Sequence, residues 1–358
     1  MQVETYYNPK IETMPRAEIE KLQLERLRKQ VYYVLNYSAI ERKKLQDAGV
    51  TKDSIKNISD LANIPTVTLD EIRKNMAETR DPYGGTRCIG EGQFCVVFEI
   101  FEEVPPQKDP YYLTMTKEDF MHAVEMFTRY CTMIGVRKGD RMLIQGVVDP
   151  TDIYPAILNS TSLHLAPSVV QILGSLSLQI GIPMPRLLAA GIDGAKAFNW
   201  IKFFKAPVLF VSPEMVNQIA ALGELEGVKA KDMGVRIIVY PDHKTLLSPS
   251  KRKELQEAWN AEIYSMLCNS ETALHAVECP THAGLHAWED LYIVEAVDPQ
   301  TNEPVADGEI GKLTITNLHA NGAPLLRYKT DLDVKLDKSA CKCGRTHLRI
   351  LSQDYEEG

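Results

Sequence analysis

Residues 268–290, CNSETALHAVECPTHAGLHAWED, place two cysteines, three histidines and four carboxylates in twenty-three positions. Two chemistries fit such a stretch. A thiolate at Cys268, with His275 as its base, could accept an acyl group from one thioester and pass it on. A metal ion is the second, since Cys279 precedes His286 by seven residues and a C-x-C pair, Cys341 and Cys343, stands just before Gly344. Zinc closes a structural site with four sulfur or nitrogen ligands in a tetrahedron. His282 competes with His286 for the imidazole position. The residue types alone leave the plainer reading open as well, in which these are small buried thiols and surface histidines, and Cys268 fills space in a core.

The elements that must position these residues follow from periodicity. Residues 15–47 repeat Leu22, Leu24, Leu27, Val31, Val34 and Leu35 at helical spacing, with Pro15 as a first-turn residue and Gly49 as a stop. Thr68 with Glu71 three places later opens a second helix near 69–77. FCVVFEIFEE reads as a strand, TKEDFMHAVEMFTRYCTMIG as an amphipathic helix and DRMLIQGVV as a buried strand. A helix around 168–180, the strand APVLFVS, a helix near 213–222, the strand VRIIVY and a helix near 249–259 continue the alternation. That order favours a mostly parallel sheet flanked by helices. Beyond 285, LYIVEAVDPQTNEPVADGEIGKLTITNL has period-two strands and turn-rich joints, which predicts a small antiparallel sheet or barrel. The stripe Phe198, Trp200, Ile201, Phe203 and Phe204 reads as core packing, with a partner-binding patch as the alternative. Asp149, Asp152 and Tyr154 fit a turn between strand and helix.

Composition excludes several classes. A formal charge of −8 without a basic stripe argues against nucleic acid. The start has no signal pattern and no apolar run is long enough for a membrane span. Seven cysteines without a disulfide framework point to a reducing cytoplasm.

YYNPKIETMPRAEIEKLQLERLRKQVYYV, LQDAGV, LANIPTVTLDEIRKN, GLHAWEDLYIVEAVDPQTNEPVADGEIGKLTITNL, PLLRYKT and CKCGRTHLRI together resemble the phenylacetate–coenzyme A ligases of the adenylate-forming superfamily. The resemblance runs from first residue to last. It implies the α/β large N-terminal domain of the adenylate-forming fold, with helix-flanked, mostly parallel sheets, a small β-barrel-like lobe and no C-terminal lid domain. The expected divisions are a helical region over 1–85, α/β subdomains over 86–284, and a β-rich lobe over 285–358 that ends at the hinge. Chains of this family often carry a Cys, a His in a Gly-Leu-His-Ile-Trp-Glu-Asp segment and a C-x-C. The resemblance thereby implies structural zinc on Cys279, His286, Cys341 and Cys343.

Ligases of this kind form an acyl adenylate from ATP and a carboxylate, then let the thiol of coenzyme A displace AMP. Several motifs for that chemistry depart from the pattern here. The residues before the TKEDF helix are FEIFEEVPPQKDPYYLTM, without the serines, threonines and glycines that let backbone N–H groups cradle phosphates. PDHKTL stands where a Gly-containing adenine turn belongs. Tyr264 is followed by Ser265, Met266, Leu267 and Cys268 in place of Gly-Leu-Thr-Glu, and Glu271 comes three places late. The ribose motif has shrunk to Tyr328-Lys329-Thr330-Asp331, with Asp331 as its remnant.

From these departures we expect a catalytically inactive or strongly divergent ligase homologue that binds neither ATP nor magnesium productively. It would act as an assembly partner of an acyl carrier protein or of its phosphopantetheinyl transferase in polyketide biosynthesis. The chain is also similar to truncated ligase homologues of bacterial anthraquinone-type pathways. Lys196, Lys202 and Lys205 would supply a local basic face for an acidic carrier. The alternatives are an ATP-independent acyltransferase or thioesterase using Cys268 and His275, and an aryl–coenzyme A ligase completed by a separate chain. Family members often pair as dimers.

Overall fold

The computed structural model describes residues 5–100, 111–147, 157–158, 169, 172–173, 176–182, 186–242 and 247–352. The chain divides into two compact units. One comprises Met1–Tyr7, Val124–Cys268 and Val277–Leu285; the other comprises Asn8–Ala123, Asn269–Ala276 and His286–Gly358.

In chain order the helices are α1 (Pro9–Glu12), α2 (Arg16–Tyr37), α3 (Ala39–Asp47), α4 (Leu69–Thr79), α5 (Lys117–Met133), α6 (Arg186–Phe204), α7 (Pro213–Leu225) and α8 (Pro249–Trp259). The strands are β1 (Val96–Ile100), β2 (Tyr111–Met115), β3 (Arg141–Val147), β4 (Ile157–Leu158), β5 (Leu176–Ile182), β6 (Val208–Phe210), β7 (Ile237–Asp242), β8 (Glu262–Asn269), β9 (Leu274–Glu278), β10 (Leu285–His286), β11 (Tyr292–Val297), β12 (Gly311–Asn317), β13 (Tyr328–Asp337) and β14 (Arg349–Ser352). Among the described residues no helix is long and apolar enough to cross a membrane.

The first unit is built on a parallel array. β3 pairs with β5 (Leu143 opposite Leu178) and with β6 (Leu143 opposite Leu209), β6 with β7 (Leu209 opposite Ile238), and β7 with β8 (Ile238 opposite Ile263). Strands covered on both faces are continuous apolar runs, and VLF and IIVY fit that rule. Leu143, Leu209, Ile238 and Ile263 are fully buried, and they pack with Ile201 and Ile219 of the helices. The helices start on local signals. Ser212 accepts the Met215 N–H and Ser248 the Lys251 N–H, both at 3.3 Å, and each serine is followed by a proline in the first turn.

Two expectations are corrected. The helix foreseen over 168–180 is a strand from Leu176 to Ile182, with helical backbone only at 169 and 172–173 among its described residues, and the long helix α6 follows it. LSLQIGI satisfies both a two-residue and a three-to-four-residue apolar period, and parallel pairing with β3 decides between them. The single helix foreseen over 15–47 is two. Ser38 ends α2 with extended backbone and caps α3 by accepting the Glu41 N–H at 3.3 Å, while Pro15 stands just outside α2.

In the second unit β11, β12, β13 and β14 form an antiparallel set (Val294 opposite Ile315, Lys312 opposite Asp333, Leu336 opposite Ile350), and β1 pairs antiparallel with β2. Leu27, Val31 and Val34 of α2, Leu45 of α3, Ile64 and Leu326 make its core. The capping box on α4 forms as its sequence requires: Glu71 accepts the Thr68 N–H at 2.7 Å and returns its own N–H to the threonine hydroxyl at 3.3 Å.

Candidate functional site

Cys341 and Cys343 lie on a turn closed at both ends. Gly344 donates its N–H to the Cys341 carbonyl at 2.9 Å, and Cys341 donates its own to the Arg345 carbonyl at 3.1 Å. Gly344 has φ of 88°, a left-handed backbone that glycine adopts without a Cβ penalty. The Cys343 Sγ stands 3.5 Å from His286 Nε2. Of the four residues that the resemblance proposes as ligands, His286, Cys341 and Cys343 belong to the second unit and Cys279 to the first. Cys279, His286 and Cys341 are buried and Cys343 is half-buried. Zinc–sulfur bonds of about 2.3 Å and zinc–nitrogen bonds of about 2.0 Å put tetrahedral ligand atoms roughly 3.5–3.8 Å apart, and the Cys343–His286 separation fits that spacing.

His282 is outside the group. Its backbone is left-handed (φ 52°), its ring stacks on Tyr264 at 5.3 Å, and its Nδ1 lies 3.4 Å from Glu278. Glu278 is itself anchored, accepting the Ser265 N–H at 2.8 Å and pairing with Arg252. Burial raises the Tyr264 phenol to about 12, with Glu262 and Cys279 adding to the effect.

Cys268 is half-buried near the end of β8. His275 is fully buried on β9, with its Nδ1 3.1 Å from the Ala273 carbonyl. Asp331 is exposed on β13, and its backbone carbonyl receives Lys312 Nζ at 2.7 Å. Residues 101–110, 149, 152, 154 and 243–246, which carry the phosphate-loop expectation, the expected strand-to-helix turn and most of the adenine turn, lie outside the described residues. Of the apolar stripe on α6, Phe198 and Ile201 are buried and Phe203 is 80% exposed. Lys196 sits over Trp200 and Lys202 pairs with Glu226, so both lysines of that helix are engaged locally.

Sequence reasoning passed over a polar cluster in the second unit. The side chain of Asn269 donates to Glu271 at 2.7 Å. Burial raises the Glu271 carboxyl pKa against the opposing influences of Arg73, Tyr328 and Asn269. Burial also raises the Tyr328 phenol well above its usual value, with Glu271 contributing. Counting along a strand made Glu271 look misplaced, but it belongs to the turn between β8 and β9, where strand register does not apply. The segment leading to Tyr328 is held by Arg327, which is 1% exposed. Its guanidinium bonds Glu295 at 3.1 Å and the carbonyls of Ala62, Ile64 and Asn302 at 2.9, 2.8 and 2.6 Å.

No family model matches the chain. The phenylacetate–coenzyme A ligase of Thermus thermophilus is 27% identical over 350 residues, covering 96% of this chain and 72% of that protein. The chain is similar to phenylacetate–coenzyme A ligases over most of its length. Those of Pseudomonas putida and Escherichia coli are each 24% identical over 89% of this chain and 68% of their own length. Among solved structures, a 2-hydroxyisobutyryl–coenzyme A ligase in complex with its acyl adenylate and coenzyme A superposes with a TM-score of 0.85 at 20% identity, over 97% of this chain and 71% of the other. The α/β fold is that of the coenzyme A ligases.

These likenesses overturn the expectation of a catalytically inactive body that serves an acyl carrier protein, and with it the Cys268 acyltransferase and thioesterase readings. The relatives are named as ligases and the match is collinear over nearly the whole chain. The overturned expectation weighed a few departing motifs, one of which falls in residues 101–110, above a likeness that covers 96% of the chain.

Proposed function

We propose that the chain is the core of an ATP-dependent carboxylate–coenzyme A ligase, located in the cytoplasm, with a structural zinc on Cys279, His286, Cys341 and Cys343. The observation that carries the ligase reading is the 27% identity to a phenylacetate–coenzyme A ligase over 96% of the chain. In this reading β11–β14 form the small barrel-like lobe of the ligase core, and an aromatic carboxylic acid is the acyl substrate. ATP enters as the substrate of the adenylation step with magnesium on its phosphates, in place of the expectation that they would not bind productively.

We assign Asp331, exposed on the strand that begins with Tyr328, to the ribose. Glu271, tied to Tyr328 by its hydrogen bond, is assigned to the same nucleotide-binding face. The zinc has no catalytic part. It closes a four-ligand site and ties the C-x-C turn to His286, as structural zinc does elsewhere. Coenzyme A carries a phosphopantetheine arm, and we assign recognition of that arm to this chain in place of the carrier-protein expectation.

The test is to incubate the purified chain with ATP, magnesium, coenzyme A and phenylacetate, and to follow AMP and the thioester by mass spectrometry. A panel of other aromatic acids and 2-hydroxyisobutyrate accompanies it. Equal amounts of AMP and thioester, both dependent on the acid, are expected. No AMP and no pyrophosphate with any acid of the panel would overturn the ligase reading.

A further inference from the structure

The turn that carries Cys341 and Cys343 also holds the first helical turn of the chain. Arg345, whose carbonyl takes the Cys341 N–H, reaches the Glu12 carboxylate with Nε at 2.8 Å and Nη2 at 2.6 Å. Both side chains are out of contact with water, 1% and 0% exposed. The other Glu12 oxygen accepts the Asn8 N–H at 2.7 Å. Thr346 donates its hydroxyl to the Met14 carbonyl at 2.6 Å and its N–H to the Glu12 carbonyl at 3.3 Å.

His347 completes the seam. Its Nδ1 accepts the Glu289 N–H at 2.9 Å, which leaves the proton on Nε2 to donate to the Ile11 carbonyl at 2.9 Å. Glu289, three residues after His286, binds Arg16 at 2.6 Å and accepts the Leu348 N–H at 2.7 Å. The segment Asn8–Arg16 is therefore fastened to residues that stand two to four positions from Cys343 and His286.

We propose that Asn8–Arg16 is a supporting layer of the metal centre, so that zinc binding and docking of this N-terminal segment are coupled, with Glu12 as the positioning residue. The inference rests on the zinc reading above. A C-x-C turn presents both sulfurs to one ion only while its backbone is held. Here the holding chain runs from the Glu12 carboxylate to the Arg345 guanidinium, and from the Arg345 carbonyl to the N–H of a ligand. Outer partners of this kind tune metal affinity by about 10–100-fold. Without the carboxylate, the buried Arg345 cation loses the charge that faces its Nε and Nη2, and the turn is less firmly held. Coupling of this sort is reciprocal: whatever the segment does for zinc, zinc does for the segment.

Two measurements on tag-free protein test this. The first is zinc affinity by competition with a chromophoric chelator, for wild type, Glu12→Gln and the control Glu25→Gln, whose exposed side chain pairs only locally with Lys29. Glu12→Gln is expected to bind zinc about 10–100-fold more weakly and Glu25→Gln as tightly as wild type. The second is hydrogen exchange of the wild type before and after chelation. Faster exchange over residues 8–16, with β6 and β7 unchanged, is expected. Equal zinc affinity in Glu12→Gln and wild type, or unchanged exchange over 8–16 after chelation, overturns the inference alone. Loss of protection spread evenly through the chain also overturns it, because that reports general unfolding. A wild type that binds no zinc removes the zinc reading and this inference together.

Discussion

Glu41 and Lys44 form a buried ion pair, 2.7 Å between carboxylate and ammonium, and both also hold the peptide of Leu326. Glu41 accepts the Leu326 N–H at 3.0 Å and Lys44 donates to its carbonyl at 2.7 Å. One turn of α3 thus sets the backbone immediately before Arg327 and Tyr328. Burial lowers the Lys44 pKa, and Glu41 opposes that effect. Removing one partner leaves a charge in the core, whereas removing both leaves two hydrogen bonds to lose. Lys44→Met is therefore expected to cost about 3–5 kcal/mol, and Glu41→Leu with Lys44→Met to cost less than the single change. Urea denaturation of the two variants checks this. A double variant less stable than Lys44→Met would show that the pair is not the source of the penalty.

Acid should weaken the second unit through His319. Its ring stands edge-on to His122 and to Tyr292, each at 5.3 Å, and its Nδ1 lies 3.0 Å from the Leu291 carbonyl. Burial pushes its pKa down to about 4; His122 adds to the shift, while Leu291, Asp119 and Asp290 oppose it. The folded imidazole stays neutral until about pH 4, while the unfolded one takes a proton near 6.5. The unfolded state then binds more protons between these values, so stability falls as pH drops from 6.5 to 4. His319 keeps some solvent access, so the loss is discounted to on the order of 1–2 kcal/mol. Urea midpoints from pH 7 to 4.5 should fall more steeply for the wild type than for His319→Asn. Parallel pH profiles would exclude His319 as the source.

Zinc content would separate two histidines that spacing could not. Tag-free protein is expected to hold about one zinc per chain by elemental analysis. Cys341→Ser and His286→Ala should lose it, and His282→Ala and Cys268→Ala should keep it. Zinc retained in His286→Ala but lost in His282→Ala would reverse the assignment drawn from the stacking of His282 on Tyr264.

Local signals in the sequence are the most readable. The Thr68–Glu71 capping box and the helix from 249 to 259 depend on residues three or four apart, and both form where expected. Ser38 does not read as a break, because its cap competes with a helical pattern that continues on both sides. The strand at 176–182 depends on a parallel partner more than thirty residues earlier, which periodicity does not encode. At the metal centre, residue types and the C-x-C spacing pointed to a metal. The choice of His286 over His282 came from the resemblance, because residue types and spacing alone fit either; in the structure the His282 ring lies beside Glu278. The polar cluster around Glu271 was hidden for a similar reason, since Arg73, Asn269 and Tyr328 come from three distant parts of the chain.

Gly322 offers a sharp test of the packing beneath Asp119. The carboxylate of Asp119 accepts the N–H groups of Asn321 and Gly322, each at 2.8 Å, and also that of Thr116 at 2.8 Å. That grip draws the 321–322 peptide against β2, where a Cβ on residue 322 would overlap the Thr114 carbonyl oxygen. Backbone on a paired strand cannot swing aside as a side chain can. Gly322→Ala is therefore expected to cost about 2–3 kcal/mol, near the upper end of overpacking penalties. Gly49 provides the comparison, because it has left-handed backbone (φ 68°) but nothing within 4 Å of an added Cβ. Gly49→Ala should cost only the backbone term, about 1–2 kcal/mol. Thermal and urea denaturation of both variants decides the matter, and a Gly322→Ala protein as stable as Gly49→Ala would mean that the loop can move off β2 at little cost.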